Sequence, residues 1–289
     1  MSSNLRQPPR RHSTLRLFVF KAAETLARML GGRAFYRSLN LRPGRFDVRE
    51  ELVALPPHCS ALDGVSIVQL SDIHAGAFLR EGDLGAIADA VNDLEPDLVV
   101  FTGDLISRNA DESLLVIEDL ARIRARFGFY AVFGNHDYRH RRESEIAATY
   151  ELRGIHFLRN ESVRPLGPDS PLVLLGVEDL EEAKSLDIQP AREELRDCDF
   201  EVVLSHNPSG ARALLSPVTG LVLSGHTHGR QIDLPVLRDL GPHHPGDRVD
   251  VDGVPLITSH GIGVIGVPLR VRVRPEIVLV RLTAPKVDA

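Results

Sequence analysis

Val65-Ser66-Ile67-Val68-Gln69-Leu70-Ser71-Asp72-Ile73-His74 opens as an apolar run and closes on a carboxylate and an imidazole two residues apart. An apolar run of this length, bounded by polar residues, reads as a buried strand over 65–70. The same grammar repeats downstream. A helix follows at 82–94, with Leu84, Ile87, Ala88, Val91 and Leu94 on one face, and Pro96 stops it. Residues 98–101 lack alternation and predict a strand buried on both faces. A helix is expected at about 111–126, then a strand from Phe129 to Phe133, with further strands near 172–177, 201–205 and 221–224. The last stretch predicts strands at 254–258, 264–267, 270–273 and 276–282. Strands alternating with helices place the chain in the α/β class, with a β-rich C-terminal part.

Five polar motifs sit where these strands end. They are Asp72-Ile73-His74, Gly103-Asp104, Gly134-Asn135-His136-Asp137, Ser205-His206-Asn207 and Gly225-His226-Thr227-His228. In open α/β sheets the loops at the carboxyl ends of strands line the ligand crevice, so the five motifs should converge. Carboxylates, imidazoles and one amide suit hard-to-borderline divalent cations such as manganese, iron and zinc. In Asp-x-His and His-x-His the first and third side chains can point the same way along extended backbone. No cysteine lies in the motifs, which excludes a thiolate site. Cys59 and Cys198 form no CxxC pair and read as ordinary thiols. Each motif alone is weak, but the five in order, each after an apolar strand, are not.

The whole set resembles the calcineurin-like metallophosphoesterase superfamily, through the pattern D-x-H, G-D, G-N-H-D, H, G-H-x-H over residues 72–228. The later Thr258-Ser259-His260-Gly261-Ile262-Gly263 and Pro275-Glu276-Ile277 are similar to a bacterial YaeI/YkuE-type phosphodiesterase branch, linked to UDP-2,3-diacylglucosamine pyrophosphatase activity. Two departures, Arg230 after Gly229 and His260 before Gly261, fall beside the expected pocket rather than on an expected ligand. The resemblance implies a four-layer α/β/β/α sandwich and two divalent metal ions, manganese foremost. It implies that Asp72, His74 and His228 hold one metal, that Asn135, His206 and His226 hold the other, and that Asp104 bridges both.

Two such cations can clamp an in-line displacement at phosphorus, with a hydroxide between them as nucleophile. Ser71 and Ser205 are then local hydrogen-bonders. His136 follows a ligand and is expected to act as general acid. Asp137 or Asp104 would orient its imidazole, or Asp137 would simply cap a turn. Arg108, Arg139 and Arg230 are candidates for gripping phosphate. The expected activity is hydrolysis of a phosphodiester or pyrophosphate bond, on a lipid-linked or cell-envelope compound. A nucleotide or cyclic-nucleotide phosphodiesterase is the alternative. A non-catalytic interaction module should have lost ligands or the general acid, and this chain retains them all.

The charge of the chain is uneven. Of 289 residues with a net charge of −6, residues 1–50 carry +8, which leaves −14 on the rest. An acidic body without Trp and with four Tyr argues against nucleic-acid binding. Residues 1–12 are polar and basic and are expected to be disordered. Residues 14–30 place Leu15, Phe18, Ala22, Leu26 and Met29 at helical spacing, with Arg16, Lys21 and Arg28 largely off that stripe, and Gly31-Gly32 ends the helix. Such a helix is too short and too charged to span a bilayer, but it suits an anionic membrane surface, or else packing on the chain's own core. The expected organisation is a basic tail and amphipathic helix over 1–48 and a metallophosphoesterase domain over 49–284. The expected location is the cytoplasm, peripheral to the inner face of the membrane. Arg10-Arg11 invites a twin-arginine export reading, but charges interrupt the apolar stretch that should follow.

Overall fold

A computed structural model describes residues 22, 24–183, 186–234, 243 and 246–285. The expectations for residues 1–12 and the Arg10-Arg11 pair lie outside the described residues, as do 14–21 and 23 of the expected amphipathic helix. Of the described remainder of that helix, residues 22 and 24–29 are helical and Leu30 is a turn. Beyond the left-handed Gly31 (φ 82) the chain enters a second helix that the sequence reading did not anticipate, α1 (Gly32–Asn40).

Two six-stranded sheets form the body. The strands are β1 (Asp47–Ala54), β2 (Ser66–Leu70), β3 (Leu98–Thr102), β4 (Phe129–Val132), β5 (Ile155–Phe157), β6 (Glu161–Val163), β7 (Leu172–Gly176), β8 (Phe200–Leu204), β9 (Thr219–Ser224), β10 (Arg248–Val251), β11 (Val254–Thr258) and β12 (Glu276–Thr283). The first sheet runs β1-β12-β2-β3-β4-β5 and the second β10-β11-β9-β8-β7-β6. β2, β3 and β4 are parallel, as are β7, β8, β9 and β11, so their carboxyl ends share one rim.

Strand periodicity explains the layers. Ile67, Leu98, Val100 and Val132 point from the first sheet onto Leu174, Val202, Leu204, Leu221 and Leu223 of the second, which makes the inner core. The alternate residues Val68, Leu70, Val99 and Phe101 face outward onto Ile87 and Val91 of α2 (Gly85–Asp93), Ile117 and Leu120 of α3 (Ile117–Leu120), and Ile146 and Tyr150 of α4 (Glu143–Glu151). On the far side Leu175, Val203 and Val222 pack against Ala211 and Leu214, which belong to the 3-10 stretch Pro208–Leu214. The result is the four-layer sandwich of the metallophosphoesterase fold, with 3-10 turns supplying its second outer layer.

Two expectations need correction. The helix at 111–126 is a 3-10 stretch (Ala110–Leu115) and the single turn α3, broken at the β-branched Val116 (φ −129). Segments 264–267 and 270–273 are not strands. In the first, Gln231 Nε2 donates to the carbonyls of Ile265 and Val267, and on to Leu269, while Gln231 Oε1 accepts from Ile265 N; in the second, Val271 makes a single isolated bridge to Ile232, its N donating to Gln231 O and its O accepting from Asp233 N.

Candidate metal centre

The five motifs meet at the shared rim. Backbone bonds stitch their loops together: Asp72 N donates to Gly103 O at 2.9 Å, His74 N to Asp104 O at 3.0 Å, and Gly225 N to His206 O at 3.0 Å. Asp72, His74, Asp104, His226 and His228 all hold left-handed backbone (φ 51, 49, 58, 72 and 52). Each such non-glycine residue costs on the order of 1–2 kcal/mol, so the surrounding bonds must enforce it. Glycine is required where loops nearly touch. A Cβ on Gly134 would lie 2.3 Å from Asp104 Oδ1, and one on Gly225 would lie 2.4 Å from Asp72 Oδ2.

The polar atoms form two groups joined by one carboxylate. In the first, His228 Nε2 lies 3.4 Å from Asp72 Oδ1 and 3.0 Å from His74 Nε2. In the second, Asn135 Oδ1 lies 3.2 Å from His206 Nε2 and 3.1 Å from His226 Nδ1. Asp104 Oδ2 stands 3.4 Å from both His74 Nε2 and His206 Nε2, between the groups. Asp72, His74 and His228 have ligand atoms within 4.8 Å of one another, as do Asp104, His206 and His226.

This donor set fits divalent cations. Lone pairs of nitrogen and oxygen point at common positions, and the ring nitrogens present hold too few protons to pair them all. Burial pushes His74 and His228 well below the ordinary histidine range, which leaves neutral imidazoles with a lone pair to offer. Burial also raises the Asp72 carboxyl, reinforced by Asp104. Burial would lower His206 and raise Asp104. Their mutual attraction outweighs it, holding His206 well above and Asp104 well below their usual ranges. A cation held there would supply the positive charge that Asp104 otherwise draws from His206.

His136 overhangs the same place, its ring 4.7 Å from that of His74. The structure corrects how that ring is oriented. Neither Asp137 nor Asp104 touches it: His136 Nδ1 sits 2.9 Å from Ser107 O, and Arg139 NH2 lies 3.2 Å from Nε2. Asp137 accepts the backbone N–H groups of Gly134 (2.8 Å) and Ile106 (3.1 Å), which is the capping geometry. Burial, against the pull of Asp104 and with the push of Arg139, lowers His136 to about 4.

Of the phosphate-gripping candidates, Arg139 reaches the site through His136. Arg108 pairs with Glu24 of the N-terminal helix, and Arg230 lies 3.7 Å from Asp233. Ser71 Oγ donates to Asp72 Oδ2 at 2.5 Å, and Ser205 Oγ lies 3.4 Å from Asn207 O. His260 is paired with Asp247 (2.7 Å) and Glu276 (3.3 Å). Cys59 and Cys198 are free thiols.

The sequence reading missed Asp179. It is buried, its Oδ2 has no partner, and burial raises it to about 6, against the attraction of His206. It follows the end of β7, so the rule that found the other motifs points to it too. Ser107 and Thr102 act through backbone carbonyls, Thr102 O lying 2.8 Å from His206 Nδ1, and carbonyl roles leave no mark in residue type.

Comparison with known proteins agrees with this geometry. The family model for calcineurin-like phosphoesterase matches residues 65–230. Metallophosphoesterase YkuE of Bacillus subtilis is 30% identical over 87% of this chain and 90% of its own length. Metallophosphoesterase YkoQ of the same organism is 28% identical over 74% of this chain and 82% of its own. A transmembrane protein with metallophosphoesterase domain from Danio rerio is 32% identical over 81% of this chain. The chain spans only 56% of that relative's length. No helix among the described residues is long and apolar enough to cross a membrane. Matched along its motifs and across both sheets, the chain belongs to the calcineurin-like phosphoesterase family, in its bacterial YkuE-type branch, and is a metal-dependent phosphoester hydrolase.

Proposed function

We propose that this hydrolase cleaves a phosphodiester or pyrophosphate bond in an amphiphilic, lipid-linked or cell-envelope compound of the UDP-2,3-diacylglucosamine type. The carrying observation is the placement of Asp104 Oδ2, equidistant from His74 and His206. Asp72, His74 and His228 would hold one cation, Asn135, His206 and His226 the other, and Asp104 both, with manganese the favoured ion and iron or zinc the alternatives. Two cations held there supply Lewis-acid activation of water and neutralise phosphoryl oxygens.

The chain's own groups do the rest. His136, held by Ser107 O, stands beside the leaving oxygen and hands it a proton. The charge of an entering phosphate favours the protonated imidazole that this needs, since an added anion raises a histidine's pKa. Arg139, always cationic, supports the same negative charge. Asp137 fixes the Gly134 and Ile106 backbone, and so the loop that carries Asn135 and His136.

An amphiphilic substrate is supported by the rim. Met29 and Leu30 are 77% and 78% exposed at the end of the helix whose Glu24 pairs with Arg108, and Arg28 beside them is exposed too. In this reading residues 1–48 meet an anionic bilayer at the inner face of the membrane, and 49–284 hydrolyse. Tyr36 of that arm is buried in the body, so point changes serve better than truncation. Met29→Glu with Leu30→Glu should abolish co-sedimentation with anionic phospholipid vesicles and spare hydrolysis of a soluble aryl phosphodiester. Unchanged sedimentation would remove the membrane part. A phosphate panel with manganese against chelator tests the reaction. Turnover confined to monoesters, or unaffected by chelator, would defeat the reading.

A further inference from the structure

Tyr36 and Arg270 both lie outside the stretch, 65–230, matched by the family model. The turn His260-Gly261-Ile262-Gly263 runs along the Asp72 loop. Ile262 N donates to Ser71 O at 3.0 Å and Gly263 N to Asp72 O at 2.7 Å. The approach is so close that a Cβ on Gly261 would lie 2.5 Å from Asp72 Cβ, and one on Gly263 would lie 1.9 Å from Ile73 O. The Asp72 loop is thus held between two layers of backbone, the Gly103-Asp104 loop on one side and this turn on the other.

All four carbonyls of the turn are taken by two side chains. Arg270 NH2 donates to His260 O (2.9 Å), Gly261 O (3.1 Å) and Gly263 O (2.6 Å), and its Nε to Gly263 O (3.1 Å). Tyr36 Oη, from α1, donates to Ile262 O. Arg270 is 9% exposed and Tyr36 fully buried. A buried arginine whose Nε and NH2 go to main-chain carbonyls, while NH1 has no partner, is an expensive way to make surface, but an effective way to fix a turn.

We propose that Tyr36 and Arg270 are positioning residues for the metal group of Asp72, His74 and His228. They hold the turn that enforces the left-handed backbone of Asp72 and His74 (φ 51 and 49). They act mainly on one side of the centre: neither bonds the loops of Asn135 or His206, and the second group meets the clamped loop only where His226 N donates to the Asp72 carboxylate (3.1 and 3.0 Å). The clamp therefore tunes one metal site in preference to the other. It also makes α1 part of the catalytic unit, whatever else the N-terminal arm does. The inference rests on the two-cation reading above.

The test is manganese titration of the full chain by calorimetry. The equivalent lost in Asp72→Asn identifies the first site, and the equivalent lost in Asn135→Ala the second. Tyr36→Phe keeps the ring and removes only the hydroxyl. It should weaken the first site about tenfold, as loss of an outer-shell partner typically does, and leave the second unchanged. Arg270→Met should weaken the first site further, and Arg270→Lys, which keeps a donor and the charge, should fall between. If Arg270→Met does not fold, Tyr36→Phe alone decides. Equal weakening of both sites would mark a merely structural role and overturn the proposal, as would two wild-type affinities in Tyr36→Phe. A wild-type chain that takes up no manganese would fell the two-cation reading, and this inference with it.

Discussion

Asp104 accepts the backbone N–H of His136 on Oδ1 at 2.8 Å. Its other oxygen faces both histidine groups. One carboxylate thus joins the loops proposed to hold metal to the residue proposed to protonate the leaving oxygen.

That relationship separates two substitutions. Asp104→Asn should abolish metal uptake and hydrolysis together. His136→Ala keeps the backbone bond to Asp104, so it should cut turnover by roughly 10²–10⁴-fold while both metals stay bound. Metal analysis beside kcat checks the pair, and metal loss in His136→Ala would show that its role is misassigned.

Ser107 O, not a carboxylate, orients His136, and Asp137 holds backbone. Asp137→Asn keeps an acceptor oxygen for one of the two N–H groups, so it should lower activity less than His136→Ala does. A loss in kcat equal to that of His136→Ala would instead put Asp137 in the reaction.

Gly225 has no room for a side chain: a Cβ there would lie 2.0 Å from Ser71 Oγ as well as against Asp72. Gly225→Ala should strip the first metal site and leave the fold, as judged by circular dichroism. Gly85→Ala, where a Cβ meets only the flexible end of Arg122 at 3.2 Å, is the control and should bind manganese as the wild type does.

Away from the site, Asp199 gives a pH signature. Burial alone would raise its carboxyl. Arg164, bidentate at 2.8 and 2.7 Å, together with the N–H and guanidinium of Arg196, holds it at about 2. A depressed carboxyl contributes stability above its unfolded pKa of about 4 and loses it as pH falls through the folded value. Asp199→Asn should therefore cost about 1–2 kcal/mol at pH 7, allowing for solvent screening of the arginines. The gap should narrow between about pH 4 and pH 2. Denaturant melts across that range check it, and a constant gap would contradict it.

Much of this was legible because buried parallel strands announce themselves. The run 65–70 is β2 to within one residue, and 98–101 is β3 short of Thr102. Each motif marked a strand end, and Asp72, His74, Asp104, Asn135, His206, His226 and His228 do assemble at one rim. What stayed hidden acts through backbone or over long separations. Ser107 and Thr102 contribute carbonyls. β1 pairs in parallel with β12 across more than two hundred residues, and its half-exposed pattern carries no buried stripe. Tyr36 lies on a helix that the residue pattern did not announce, and Gln231 and Arg270 turned an apparent strand segment into a pinned loop.

Anomalous diffraction from crystals of the full chain grown with manganese addresses the central claim directly. The account predicts two peaks, one among Asp72, His74 and His228, the other among Asn135, His206 and His226, with Asp104 reaching both. A single peak, or peaks away from Asp104, would contradict it.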